Sequence, residues 1–353
     1  MKILTIIGAR PQFIKSATVS RLIKLNPSIE EIVIHTGQHY DHKMSKVFFN
    51  EMKMDAPKYK LSFGGGSHSE MTGGMMIEIE KIALKEKPDW VMVYGDTNST
   101  LAGALVASKL SIKLAHIESG LRSHNMRMPE EINRIVTDRL SNLLFCPTKN
   151  AIKNLESEGF KNFDASIVLS GDIMKTSSIF YSNYAVKPSI EINNEFIIST
   201  IHRAENTDNK DNLNNILSAL KEIGKKIQVI LPIHPRTLKK CNVFGIDLQG
   251  IKVVDPVSYL EMIWLLKNCK MVMTDSGGLQ KESYFFKKPC VIYRAETEWV
   301  ELVENNHNNL SGVQKKDIVE AVFNHNFNTD YSVKYYGGKF TDKIIIDNLI
   351  KFN

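Results

Sequence analysis

The 353-residue sequence predicts an α/β protein built from two doubly wound, Rossmann-like domains with a cleft between them. Three observations carry that prediction. Short apolar runs of strand length alternate with helical stretches, the pattern of a parallel sheet wrapped on both faces. The alternation breaks off at Ser182-Asn183-Tyr184-Ala185-Val186-Lys187-Pro188-Ser189, a polar, proline-containing linker, and then restarts. The length exceeds one ordinary core and suits two.

In the first domain, residues 1–181, the run 3–7 reads as a buried strand, and Gly8-Ala9-Arg10-Pro11-Gln12 turns into a helix over about residues 13–25. Residues 32–35 form a second strand. Residues 89–94 form a third, opening onto Gly95-Asp96-Thr97-Asn98-Ser99-Thr100 and a helix from about 101 to 110. Residues 113–117 are a fourth, opening onto Glu118-Ser119-Gly120-Leu121-Arg122, and 143–146 a fifth, stopped by Pro147. The segments Gly64-Gly65-Gly66-Ser67-His68 and Thr72-Gly73-Gly74 are the most glycine-dense, and the helix cost of glycine excludes them from a stable helix interior. A mobile loop near a cleft and an ordinary connection fit them equally.

The second domain, residues 190–339, repeats the scheme: strands at 196–200, 228–233, 253–254, 271–273 and 289–293, and helices at 212–223 and 259–267. Ligands of such sheets bind at the carboxyl ends of the strands.

Composition narrows the class of function. Hydrophobic residues make up 43% and charged residues 24%, so both halves can bury a core. A net charge of +6 is compatible with an anionic small molecule, and without a basic cluster or interleaved aromatics it excludes a nucleic-acid partner. Cys146, Cys241, Cys269 and Cys290 show no metal-ligand or C-x-x-C spacing, which implies no metal, unpaired thiols and a reducing cytoplasm. The start, Met1 to Ile7 followed by Gly8-Ala9-Arg10, is too short for a signal peptide. No apolar run approaches the roughly 18 residues of a membrane span, so no membrane partner is expected.

The chemistry centres on Met271-Val272-Met273-Thr274-Asp275-Ser276-Gly277-Gly278-Leu279-Gln280-Lys281-Glu282, a strand feeding a helix start. Ser276, Gly277 and Gly278 let an anion approach unpaired N–H groups where the helix dipole is positive. Glu282, one turn on, is placed to accept bonds from sugar hydroxyls. Three acids end strands or loops of the first domain: Asp96, Glu118 and one of the pair Glu130-Glu131. Asp96 also suits a simple helix cap. Convergent acids split one another's pKa values, which suits a reaction that removes one proton and delivers another. Arg10 and Lys15 flank the first turn, either as phosphate partners or as a solvated face. His202-Arg203 and His234-Pro235-Arg236 follow equivalent strands of the second domain, a repetition that points to a ligand role. The chain lacks G-x-G-x-x-G after its first strand and lacks Walker A, G-x-S-x-G and H-E-x-x-H sequences, which argues against nicotinamide-dependent and P-loop chemistry.

Eight blocks then fall in order over nearly the whole chain: Gly8 to Lys15, His35 to His39, Gly95 to Thr100, His116 to Arg122, Pro129 to Arg134, His202 to Asn206, Ile233 to Arg236 and Thr274 to Glu282. Together they resemble the non-hydrolysing UDP-N-acetylglucosamine 2-epimerases. That resemblance implies a glycosyltransferase-B architecture with the UDP-sugar in the cleft, and a C-terminal helix, here about residues 340–353, returning to the first domain. It implies inversion at C2 without a cofactor, by elimination of UDP to a 2-acetamidoglucal and re-addition. Asp96, Glu118, Glu130 and His202 would do the acid–base work, while Arg10, Lys15, His234, Arg236, Ser276, Gly277, Gly278, Glu282 and Arg294 would hold the substrate. A homodimer is the expected assembly, and bacterial surface polysaccharide (O-antigen) synthesis the expected setting.

Departures bear on the sugar. The family's R-D-T-T-E-R-P-E near Arg294 reads R-A-E-T-E-W-V-E here, with Trp299 where an Arg commonly contacts ligand, and residues 64–74 lack the Arg of an activator site. Both features, with Asn125 to Glu131, resemble the subgroup acting on UDP-2,3-diacetamido-2,3-dideoxy-glucuronate. Arg127 is open to two readings, a partner for the uronate carboxylate or a solvated loop base. Rival activities are a glycosyltransferase of the same architecture, a hydrolysing epimerase, and a silent UDP-sugar-binding regulator.

Overall fold

The structure, a computed structural model, describes residues 1–38, 49 and 51–353; His39, which closes the His35 to His39 block, lies outside them. The chain divides into two compact units, Met1–Phe180 with Tyr335–Asn353, and Tyr181–Lys334.

The first unit is a seven-stranded parallel sheet. Its strands are β1 (Lys2–Ile7), β2 (Glu30–His35), β3 (Tyr59–Lys60), β4 (Trp90–Tyr94), β5 (Lys113–Ile117), β6 (Leu143–Cys146) and β7 (Ser166–Leu169), in the order β3-β2-β1-β4-β5-β6-β7. Helices α1 (Arg10–Lys24), α2 (His68–Glu86), α3 (Asn98–Lys109), α4 (Pro129–Leu140), α5 (Lys149–Ser157) and α6 (Ile173–Tyr181) follow in sequence. Because helices cover both faces of such a sheet, a central strand need not alternate: every residue of β4, Trp90-Val91-Met92-Val93-Tyr94, is buried. The order reverses between β1 and β4, which pair in parallel, and the turns leaving these two strands carry Arg10 and Asp96. Ligands of open α/β sheets bind at such a reversal.

The second unit is a six-stranded parallel sheet, β8 (Phe196–Thr200), β9 (Gln228–Pro232), β10 (Lys252–Val254), β11 (Met271–Thr274), β12 (Cys290–Ile292) and β13 (Asn308–Leu310), ordered β10-β9-β8-β11-β12-β13. Its helices are α7 (Ala204–Thr207), α8 (Lys210–Gly224), α9 (Pro235–Phe244), α10 (Tyr259–Asn268), α11 (Gly277–Phe285), α12 (Val300–Glu304) and α13 (Lys315–Phe323). The reversal lies between β8 and β11, and His202 and Ser276 follow these two strands.

The last helix, α14 (Thr341–Lys351), packs on α1 within the first unit, where Arg21 lies 3.6 Å from Asp342. Residues 182–184 form one 3-10 turn, and the segment is tied to α10: Lys267 Nζ donates to Ser182 O at 3.2 Å and Val186 N–H to Leu260 O at 3.3 Å. Among the described residues no helix is long and apolar enough to cross a membrane.

Two expectations are corrected. Helices α1, α3 and α8 begin two to three residues earlier than periodicity implied, because the side-chain caps Thr97 and Asn209 start α3 and α8, and Gln12, accepting from Gly8 and Ala9 N–H, fixes the start of α1. Residues 64–74 are also not all loop: Gly73 and Gly74 lie inside α2. A capping box starts that helix, with Ser67 Oγ accepting from Glu70 N–H and Glu70 accepting from Ser67 N–H. Gly74 is then a packing site, since a Cβ there would come within 2.5 Å of the Phe63 ring.

Candidate active site

In the first unit the expected acids and bases gather at the β1/β4 reversal. The N–H groups of Gly8 and Ala9 donate to Gln12 Oε1 at 2.7 and 3.1 Å. Gln12 Nε2 is shared among Tyr94 O, Thr97 Oγ1 and Thr100 Oγ1 at 2.8, 3.0 and 3.0 Å. Gln12, 1% exposed, therefore pins the turn of Arg10 to the turn of Asp96. Nothing local in the sequence marks it for that role: one turn on, its helix face carries the equally polar Lys15 and Ser16.

Arg10 opens α1, and Lys15, buried on the same helix, is ion-paired with Glu118. Glu118 holds a left-handed backbone, φ 72°, which costs a residue with a Cβ about 1–2 kcal/mol. The twist lets Glu118 N–H and Ser119 N–H donate to the same acceptor, Phe145 O, at 3.1 and 3.0 Å. The neighbouring strand β6 thus holds the strained turn, at the carboxyl end of the sheet, and the strain aims one carboxylate.

Asp96 accepts from Arg134 NH1 at 2.6 Å, and Asn133 Nδ2 donates to Asp96 O at 2.8 Å. Crowding by protein atoms pushes the Asp96 carboxyl above the usual range, although 34% of its side chain stays open. The Arg134 and Lys15 charges oppose the push; Glu118 and Glu130 add to it. A carboxyl biased toward its neutral form beside a second, ion-paired carboxylate is the arrangement that separates an acid from a base.

The Glu130-Glu131 alternative divides cleanly. Glu131 is buried and accepts from Ser123 N–H and His124 N–H, both at 2.9 Å, and from Arg134. Burial would raise its carboxyl, but the Ser123 and Arg134 bonds hold it below the ordinary range. Glu130 is exposed on the first turn of α4 and acts on Asp96 through its charge. Arg134, which no sequence expectation singled out, links Asp96 to Glu131.

In the second unit, Ser276 caps α11 by accepting from Leu279 N–H at 3.5 Å, and the Gly277 and Gly278 N–H groups lie in the first turn, where no intrahelical acceptor exists. A Cβ on Gly278 would meet nothing closer than Ser276 Oγ at 4.0 Å, so this face of the helix start is open. On Gly277 it would lie 3.6 Å from Glu298, 3.7 Å from Trp299 and 3.8 Å from Arg203. Arg294, buried, reaches Glu298 at 3.2 Å and Glu205 at 3.6 Å. Glu282 is buried and accepts from Tyr259 Oη at 3.0 Å.

His202 pairs through Nδ1 with Asp275 Oδ1 at 3.1 Å. Asp275, fully buried, also accepts from His202 N–H, Arg203 N–H and Asn206 Nδ2. Burial would raise its carboxyl; the His202, Asn206 and Arg203 donors outweigh that and hold it low. Asp275 therefore orients His202 and joins the two turns at the β8/β11 reversal. His234 caps α9, its Nδ1 accepting from Arg236 N–H at 3.2 Å, and Arg236 is paired with Asp208 at 2.6 Å. Both are exposed. Trp299 stacks under Lys281, whose Nζ is 4.0 Å from the ring centroid.

Two doubly wound parallel-sheet α/β units define a protein of glycosyltransferase-B class, with acids at the strand reversal of the first unit and an open helix start at that of the second. The sequence profile of the UDP-N-acetylglucosamine 2-epimerase family matches residues 21–349. The chain is 54% identical to the UDP-2,3-diacetamido-2,3-dideoxy-D-glucuronate 2-epimerase of Pseudomonas aeruginosa, over 91% of each chain. It is 31% identical to the UDP-N-acetylglucosamine 2-epimerase of Escherichia coli K12, over 91% of this chain and 89% of that one. The crystal structure of the Methanocaldococcus jannaschii UDP-GlcNAc 2-epimerase, in complex with UDP-GlcNAc and UDP, superposes with a TM-score of 0.91 at 40% identity, covering 99% of this chain and 100% of the other. The chain belongs to the UDP-N-acetylglucosamine 2-epimerase family and is a UDP-sugar 2-epimerase.

Proposed function

We propose that this epimerase inverts C2 of UDP-2,3-diacetamido-2,3-dideoxy-glucuronate, gluco to manno, by non-hydrolysing elimination and re-addition of UDP. The observation that carries the mechanism is the meeting of Asp96, Glu118 and Lys15 at one strand reversal, with the Asp96 carboxyl raised. A base takes the C2 proton, the C2–H electron pair becomes the C1–C2 double bond, and the C1–O pair departs with UDP. Addition of UDP to C1 and protonation of C2 on the opposite face complete the inversion. Asp96, Glu118 and Glu130 are the acid–base groups in this reading, with His202 held by Asp275 as their companion.

No carbonyl acidifies C2–H, so the departing diphosphate has to be the charge sink. In this reading Arg10, Lys15 and the helix start at Ser276, Gly277 and Gly278 supply that stabilisation, with Glu282 at the sugar hydroxyls and Arg294 among the substrate-binding residues. His234 and Arg236 belong to the same binding set. Lys15, bonded to Glu118, can serve the diphosphate and the acid together. Acid–base assistance contributes about 10²–10⁴-fold.

The uronate assignment is supported by Trp299, whose ring is engaged by Lys281, by the absence of Arg from residues 64–74, by the exposed Arg127, and by the 54% identity to the Pseudomonas protein. UDP-N-acetylglucosamine is the second candidate. A cytoplasmic homodimer completes the proposal, its assembly read by light scattering. The decisive experiment incubates the protein in D2O with each UDP-sugar and follows C2 by proton NMR. One deuterium at C2, inversion without net UDP release, and faster turnover of the diacetamido-uronate are expected; stoichiometric free UDP would select hydrolysis or transfer.

A further inference from the structure

We infer that His116 and Asp138 form a buried positioning pair that holds the Asp96 turn and the Glu118 turn in fixed relation to each other. The inference deepens the epimerase reading and rests on it for the reaction that is served. His116 lies on β5 and Asp138 on α4, both 0% exposed, so neither touches a ligand. His116 Nε2 faces Gly95 O at 2.8 Å; a carbonyl only accepts, so Nε2 carries the hydrogen and donates. Its Nδ1 lies 2.7 Å from Asp138 Oδ1. Asp138 Oδ2 accepts from Gly120 N–H at 3.1 Å and from Arg122 NH1 at 2.7 Å, and Arg122 is clasped by Glu158 at 2.7 and 2.8 Å.

Gly95 immediately precedes Asp96, and Gly120 comes two residues after Glu118. One carboxylate on α4 is therefore bonded to the Glu118 turn directly and to the Asp96 turn through one imidazole. The Glu118 turn has little room to move: a Cβ at Gly120 would lie 2.5 Å from Ala151 O. A buried ionic cluster gives up desolvation energy that apolar side chains would not, and a fully satisfied network rigidifies what it joins. Here the joined parts are the two acids whose spacing the reaction depends on.

The test uses three substitutions on the full chain. In His116→Gln the amide nitrogen takes the place of Nε2 and keeps the bond to Gly95; in His116→Asn it takes the place of Nδ1, keeps Asp138 and releases Gly95; Asp138→Asn sets a donor against donors. Since a displacement near 1 Å costs about 10²-fold in rate, His116→Asn and Asp138→Asn should lower kcat for C2 deuterium exchange by about 100-fold with KM changed by less than about threefold, and His116→Gln should stay within about tenfold of wild type. Amide hydrogen exchange, read without substrate, should quicken at residues 95–98 in His116→Asn, at 95–98 and 118–121 in Asp138→Asn, and at neither in His116→Gln. Equal loss of kcat and melting temperature in both His116 variants, or a His116→Asn protein matching wild type in both readouts, overturns the proposal. If the wild type inverts neither sugar, the functional reading falls, and the amide-exchange contrast alone decides the positioning role.

Discussion

Lys15 and Glu118, 103 residues apart in sequence, are bonded through ammonium and carboxylate inside the first unit, and Gly95 forms the floor beneath them. A methyl group on Gly95 would lie 3.2 Å from Lys15 Nζ and 3.4 Å from Glu118 Oε2. The pair is charged, nearly dry and crowded, so removing one partner leaves an uncompensated charge. Glu118→Gln should destabilise the protein by about 3 kcal/mol, and Lys15→Met with Glu118→Gln should recover part of that loss. Urea unfolding of the two single variants and the double variant measures the coupling; additive losses would remove the pair from the account.

Asp96 should show the opposite balance between stability and activity. Its carboxyl is raised in the fold, chiefly by burial, so between the unfolded value, 3.8, and the higher folded one the native state holds more protons than the unfolded state. Stability from this group is therefore lost as pH rises through that window, and a neutral isostere escapes the loss. Asp96→Asn should abolish C2 exchange while leaving the melting temperature at pH 7 unchanged or higher. A marked drop in melting temperature would mean that the Arg134 contact outweighs burial.

Adjacent glycines inside α2 should respond with opposite signs. Gly73 faces open space, and Ala there should stabilise by about 0.5–1 kcal/mol through helix propensity alone. Gly74→Ala drives a methyl group into the Phe63 ring, and overpacking of that kind costs about 1–3 kcal/mol. Thermal unfolding of the two variants, side by side, reads the contrast.

His307, in the second unit, makes stability pH-dependent by a separate route. Its ring lies between Tyr284 and Tyr331, at centroid distances of 4.8 and 4.9 Å, and Nδ1 donates to Asn328 O at 3.1 Å. Burial lowers its pKa from 6.5, so below that value the unfolded chain takes up the proton first. The contribution is complete above pH 6.5 and is lost as pH falls through the folded value. His307→Phe keeps the ring packing and cannot charge; its melting temperature should fall less between pH 7.5 and 5 than that of wild type, and parallel curves would refute the assignment.

Much of the fold was legible because its central strands are buried on both faces. Residues 143–146 stand out as an apolar run, and 113–117 and 196–200 as strand-length segments built on Leu114-Ala115 and Phe196-Ile197-Ile198; the structure begins and ends β5, β6 and β8 at those residues. Helix starts were less legible, since a cap such as Ser276 is defined by where its Oγ points. The glycines of α2 misled for a related reason: propensity counts the cost of Gly74 and has no access to the aromatic ring that requires it.

By itself the sequence determined the alternation of strands and helices, the family, and the candidate acids and helix-start cradle, because these are written in contiguous residues and short spacings. Tertiary structure alone decided that Glu131 is a buried acceptor for the Ser123 and His124 N–H groups while Glu130 is exposed, that Lys15 is bonded to Glu118, and that Gln12, Asp275, His116 and Asp138 hold the turns. Those partners lie 82 residues apart for Gln12 and Tyr94, 73 for His202 and Asp275, and 22 for His116 and Asp138. A hydrogen bond depends on distance and angle in space, and local periodicity carries neither across such separations.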